Sequence, residues 1–115
     1  MMPVDDFLPL APATLHILLS LASGGLHGYG IMQDVLRQSG GKYKLGPGTL
    51  YDNLQRLMKQ ALVEEIDDPA GENSRRRCYQ LTTLGRAVLS AEIARLEGVL
   101  KQARSLMRAP RSTRA

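Results

Sequence analysis

The run Gly46-Pro47-Gly48-Thr49-Leu50-Tyr51-Asp52-Asn53-Leu54-Gln55-Arg56-Leu57-Met58-Lys59-Gln60-Ala61-Leu62-Val63-Glu64-Glu65-Ile66 changes its hydrophobic period once, and the change decides the fold. Up to Ala61 the apolar residues Leu50, Leu54, Leu57, Met58 and Ala61 recur at helical spacing behind a proline that suits a first helical turn. From Leu62 to Ile66 the residues are those of a short strand. Upstream lie two more helical stripes. Pro12 precedes Leu15, Leu18, Leu19 and Ala22, which end at Ser23-Gly24-Gly25. Ile31, Met32, Val35 and Leu36 begin after the glycines of His27-Gly28-Tyr29-Gly30 and stop at Ser39-Gly40-Gly41. Downstream, Arg77-Cys78-Tyr79-Gln80-Leu81-Thr82 reads as a second strand, and the turn-rich Asp67–Ser74 between the strands predicts a hairpin with a long tip.

A last helix is expected from about Leu84 to beyond Arg104, with Thr82 as its N-cap. Its apolar residues Leu89, Ile93, Leu96, Leu100, Ala103 and Met107 alternate in steps of four and three, the a/d seam of a coiled coil, which predicts a homodimer interface, with packing along the chain's own domain as the bland alternative. The expected fold class is mainly α with a small β-hairpin: a winged helix-turn-helix domain plus a long C-terminal dimerisation helix. The expected divisions are an N-terminal extension over 1–10, the winged helix-turn-helix domain over 11–83, the dimerisation helix over 84–108 and a basic disordered tail over 109–115.

In that fold the third helix enters the DNA major groove and the hairpin lies along the backbone. Opposite the leucines, the third helix carries Thr49, Asp52, Asn53, Arg56, and Lys59 or Gln60, expected to point away from the core. Asn53 and Gln60 suit bidentate pairing with adenine and Arg56 with guanine, while Lys59 suits a phosphate as well. Asp52 would repel phosphate, so it either orients Arg56 one turn on or accepts from a cytosine amine. Tyr51 either donates to a phosphate or is half-buried. Lys42, Lys44 and the hairpin cluster Arg75, Arg76 and Arg77 are the expected backbone contacts, with balancing of the hairpin's acids as the bland alternative for the arginines.

The charge distribution agrees with this placement. Among 115 residues, fifteen Lys and Arg against eleven Asp and Glu leave +4. Residues 1–68 hold five basic and eight acidic side chains, net −3, whereas 69–115 hold ten and three, net +7, so the excess sits on the hairpin and the last helix. With one cysteine and two histidines there is no sequence cluster spaced for zinc, and no cofactor or metal is expected. Gly28-Tyr29-Gly30 follows no strand and lacks the third glycine of a dinucleotide loop. No nucleophile has an evident base, so the chain does not read as an enzyme. His27 reads as a turn or capping residue, His16 as dimer-facing or half-buried, and Cys78 as a small buried hydrophobe. Met1–Leu10 has two acids and no base, unlike a secretory signal, and no apolar run approaches the roughly 18 residues of a membrane span. A cytoplasmic location is expected.

The stretches Leu26-His27-Gly28-Tyr29-Gly30-Ile31, Leu45-Gly46-Pro47-Gly48-Thr49-Leu50-Tyr51, Leu54-Gln55-Arg56-Leu57, Leu62-Val63-Glu64 and Arg77-Cys78-Tyr79-Gln80-Leu81-Thr82-Thr83-Leu84-Gly85-Arg86 together resemble the PadR family of bacterial transcriptional regulators, in the form with a single C-terminal helix. The resemblance covers Leu15 to Arg86. It implies a winged-helix dimer that represses transcription from a pseudo-palindromic operator. DNA contacts would fall on Thr49, Tyr51, Asn53, Arg56 and the hairpin arginines. A small-molecule effector, if present, would release the DNA by favouring one dimer geometry. Three positions depart from the family's habit: Cys78 for an aromatic, Thr83 for an acid and Ala61 for a glycine. The chain has no tryptophan, which argues against an aromatic effector stacked between indoles. The alternative reading is a winged-helix protein–protein interaction module without sequence-specific DNA binding.

Overall fold

The computed structural model describes residues 2–68 and 77–108. A short 3-10 turn, Val4–Phe7, leads into α1 (Pro12–Ser20), followed by β1 (Leu26–His27), α2 (Gly28–Gln38), α3 (Pro47–Lys59), β2 (Val63–Ile66), β3 (Cys78–Leu81) and α4 (Thr83–Arg108). The strands form one antiparallel sheet in the order β1-β3-β2. The core lies between the three short helices, the sheet and the first turns of α4, around Ile17, Leu18, Ile31, Leu50, Leu54, Leu57, Leu62 and Val88.

Three expectations change. The two-stranded hairpin gains a third strand, because Leu26 and His27 pair with Tyr79 and Cys78. Two residues are too few to show a period, and tertiary pairing creates that strand. The second helix begins at Gly28, so the glycines lie inside its first turn. Gly28 is buried there beside the Tyr51 hydroxyl, which a Cβ on residue 28 would push aside. On α1 the buried residues are Thr14, Ile17, Leu18 and Ser20, continued by Leu21, while Leu15, Leu19 and Ala22 are only half-buried. That helix is apolar nearly all round and touches α2, α3 and α4, so no single stripe in its sequence fixes its orientation.

The α3–β2 transition is built with little slack. The Ala61 amide donates to the Met58 carbonyl at 3.1 Å and the Leu62 amide to the Leu57 carbonyl at 2.9 Å, the paired bonds of a Schellman helix end. That motif needs a left-handed residue, and Ala61 takes it with φ +61°, at the position where the sequence departs from glycine. The start of α4 docks on the same turn. Thr82 caps α4 through its hydroxyl, which accepts from the Gly85 amide at 2.9 Å and donates to the Ala61 carbonyl at 2.6 Å. The Thr82 amide donates to the Leu62 carbonyl at 3.1 Å. A Cβ on Gly85 would collide with that carbonyl oxygen, so α4 passes this close to β2 only because residue 85 has none.

The N-terminal segment packs back on α4. Val4, Phe7, Leu8 and Leu10 lie against the core, and the Leu10 amide donates at 2.9 Å to Glu92, which is fully buried. Arg95 Nε donates to the other carboxylate oxygen at 2.5 Å. A buried carboxylate is tolerated when it is paired and hydrogen-bonded. The Arg95 hydrogen bond holds the Glu92 carboxyl below its ordinary value, outweighing the opposing effect of burial, with the Leu10 amide adding to it. A depressed folded pKa contributes stability above the unfolded value, near 4.5, and loses it as pH falls from there through the folded value. Glu92→Gln is therefore expected to cost about 1–3 kcal/mol at neutral pH, with the gap to the wild type closing in acid. Urea melts at about pH 7 and about pH 3.5 check this; a gap that is constant with pH contradicts the assignment.

Candidate nucleic-acid interface

On α3 the leucines at 50, 54 and 57 face the core. The solvent side presents Thr49, Tyr51, Asp52, Gln55, Arg56 and Lys59, with Gln60 half-buried at the helix end. The exposure expected for Thr49, Asp52, Arg56 and Lys59 is what the structure has; the exposure expected for Asn53 is corrected. Asn53 is buried where α1 crosses α3, and its Oδ1 accepts from the Thr14 hydroxyl at 2.7 Å while its Nδ2 donates to the Thr49 carbonyl at 2.9 Å. A buried amide with its hydrogen bonds made is a joint between helices, which spacing alone cannot distinguish from a base-reading group.

That joint also aims Arg56. Its Nη2 donates to Asn53 Oδ1 at 2.6 Å and to Thr14 Oγ1 at 3.0 Å, leaving the remaining guanidinium donors toward solvent. The Arg56 orienter is thus Asn53, three residues back, rather than Asp52. Two exposed residues escaped the sequence reading. Gln55 sits on the outer face between Asp52 and Lys59, and its position one turn from Tyr51 and Asp52 was the available signal. Tyr29, 67% exposed in the first turn of α2, gave no signal, because a tyrosine between glycines reads as turn filler.

The approach to α3 is pinned by alternation. Tyr43 and Leu45 turn inward, with the Tyr43 ring 5.5 Å from His16, while Lys42 and Lys44 are exposed. His16 is half-buried and meets Gln38 Oε1 through Nδ1 at 2.8 Å, tying α1 to the end of α2. On the sheet, Arg77 is exposed and its Nε lies 3.6 Å from a Glu65 carboxylate oxygen. A loosely spaced pair that is largely open to water holds Arg77 weakly and leaves it available. Arg75 and Arg76, the hairpin tip and the basic tail over 109–115 lie outside the described residues.

The seam expected on α4 divides in two. Leu89 packs with Val88 in the chain's own core, because the first turns of α4 close the domain. Ile93, Leu96, Leu100, Ala103 and Met107 are exposed, and Val99 and Leu106 join them. No helix of the described residues is long and apolar enough to cross a membrane.

Three short helices, a small antiparallel sheet and a projecting C-terminal helix define a winged-helix transcription regulator. The chain belongs to the PadR-like family: residues 17–91 match the description "Transcriptional regulator PadR-like family", a family of regulators and not of enzymes. It is similar to the transcriptional regulator Rv3488 of Mycobacterium tuberculosis, 33% identical over 80% of this chain and 82% of that one. It is also 42% identical to an uncharacterized 37.1 kDa protein in transposon TN4556 of Streptomyces fradiae, matching 75% of this chain but spanning only 24% of that protein. In fold it resembles Bacillus subtilis PadR, solved in complex with operator DNA, with a TM-score of 0.63 at 22% identity over 74% of this chain and 48% of that one.

Removing the α1–α3 joint should be felt as stability. Asn53→Ala is expected to lower the unfolding free energy by about 1–3 kcal/mol, since Thr14 loses its acceptor in a buried setting. Thermal melts read this, and a wild-type midpoint would mean that Asn53 joins nothing.

Proposed function

We propose that the chain acts in the cytoplasm as a homodimeric repressor on a pseudo-palindromic site in double-stranded DNA. One observation carries the reading: α3 presents an unbroken polar face beside Lys42 and Lys44, while α4 leaves the domain with an uncovered apolar row. Pairing of two copies through Ile93, Leu96, Leu100 and Met107 would place two α3 helices in successive major grooves, roughly 34 Å apart. The shared fold of B. subtilis PadR, which was solved in complex with operator DNA, supports the DNA-binding part of this reading.

Thr49, Asp52, Gln55 and Arg56 are the base-reading candidates, Arg56 toward guanine, with Gln60 at the rim. Tyr51, Lys59, Lys42, Lys44 and the arginines at 75, 76 and 77 hold phosphates, and Asn53 positions Arg56 instead of reading a base. An effector that favours one dimer geometry would shift the spacing and release the operator. Such a ligand would be held without indole stacking, since the chain has no tryptophan.

Sedimentation and electrophoretic titration on duplexes from upstream of the chain's own coding region test this. A dimer is expected, with affinity that falls as salt rises. Leu100→Asp should yield monomers that bind DNA weakly, and Arg77→Glu should weaken all duplexes alike. Arg56→Ala should cost about 1–3 kcal/mol on the preferred site and little on random DNA. Equal loss on both, or no upstream fragment held better than random duplex, would overturn the proposal.

A further inference from the structure

His27, Asp68 and Cys78 are far apart in the sequence, yet their side-chain donor atoms all lie within 4.8 Å of one another. The sheet brings them together. His27 and Cys78 are register partners on β1 and β3, and directly opposed residues of an antiparallel pair project to the same face. Cys78 is also opposed on its other side by Ile66, the last residue of β2, and Asp68 follows two residues later. Cys78 is 1% exposed, while His27 and Asp68 are half-buried at the rim. The trio therefore has one buried sulfur donor and an opening to solvent. His27 stands at the cap position of α2 but makes no side-chain capping bond, so the capping role expected for it gives way to this grouping.

The geometry points to a transition-metal site with zinc as its ion, held by the His27 imidazole, the Cys78 thiolate and an Asp68 carboxylate oxygen. A nitrogen, a sulfur and an oxygen form a borderline-soft set that suits zinc and suits calcium or magnesium poorly. Tetrahedral zinc separates such ligand atoms by roughly 3.3–3.8 Å, so small rotations of the side chains close the present spread. Three protein donors leave the fourth position to water. On binding, the Cys78 thiol gives its proton to solvent and the sulfur lone pair forms the bond to the ion. An ion there joins the start of α2 to the residue two past the end of β2 and to the first residue of β3. The site stands on these three residues and does not depend on the chain's action on DNA.

The test uses the full reduced chain, freed of metal and titrated with zinc against a chromophoric chelator. One zinc per chain is expected, with affinity at least about tenfold lower in Asp68→Asn and in His27→Gln and lost in Cys78→Ser. Cysteine 78 is the only thiol, so titration with cadmium should raise a thiolate-to-cadmium ultraviolet absorption that this residue alone can give. Circular dichroism checks that each variant folds. Should Cys78→Ser fail to fold, the two rim variants and the cadmium absorption still decide. No zinc taken from the chelator, no cadmium absorption, or zinc binding unchanged in both rim variants would overturn the site.

Discussion

The turn at Ala61 and Leu62 is the constraint on which the rest of the arrangement depends. Within two residues it ends α3, starts β2 and receives the first turn of α4, through the Leu57, Ala61 and Leu62 carbonyls and the Thr82 hydroxyl. The elements proposed to read DNA, to hold its backbone and to pair two chains thus meet at one point. Its geometry is held from opposite sides: Ala61 adopts a backbone conformation that L-residues resist, and Gly85 permits an approach that any side chain would block.

A second joint sets the face of α3. Thr14 and Asn53 fasten α1 across α3 and keep a hydrogen-bonding acceptor beneath Arg56. An arginine ordered before it meets its partner loses less rotamer freedom on binding, which favours specificity over bulk attraction. The charge distribution agrees: the acidic first 68 residues contain this face, while the excess of positive charge lies beyond them.

Much of this was legible in the sequence because period and punctuation are local. The α3 leucines, the Thr82 cap and the strand at Cys78 follow from spacing and turn chemistry. What stayed hidden depends on contacts between distant segments. Asn53 has the spacing of an outward residue and is turned inward by Thr14, thirty-nine positions away. Glu92 looks like one more polar residue of a coiled-coil helix until Leu10 and Arg95 bury and pair it. The two-residue β1 has no pattern to read, and without it His27 has no reason to meet Cys78. Leu89 fits the heptad perfectly, yet the domain claims it first.

Urea denaturation of two reciprocal variants at the junction tests this account most directly. Ala61→Gly relieves the left-handed strain and should raise the unfolding free energy by about 1 kcal/mol. Gly85→Ala forces a methyl against the Leu62 carbonyl and should lower it by about 1–3 kcal/mol or more. Opposite shifts of this kind are the predicted result; a Gly85→Ala chain as stable as the wild type, or an Ala61→Gly chain less stable than it, would contradict the claim that this turn sets the fold.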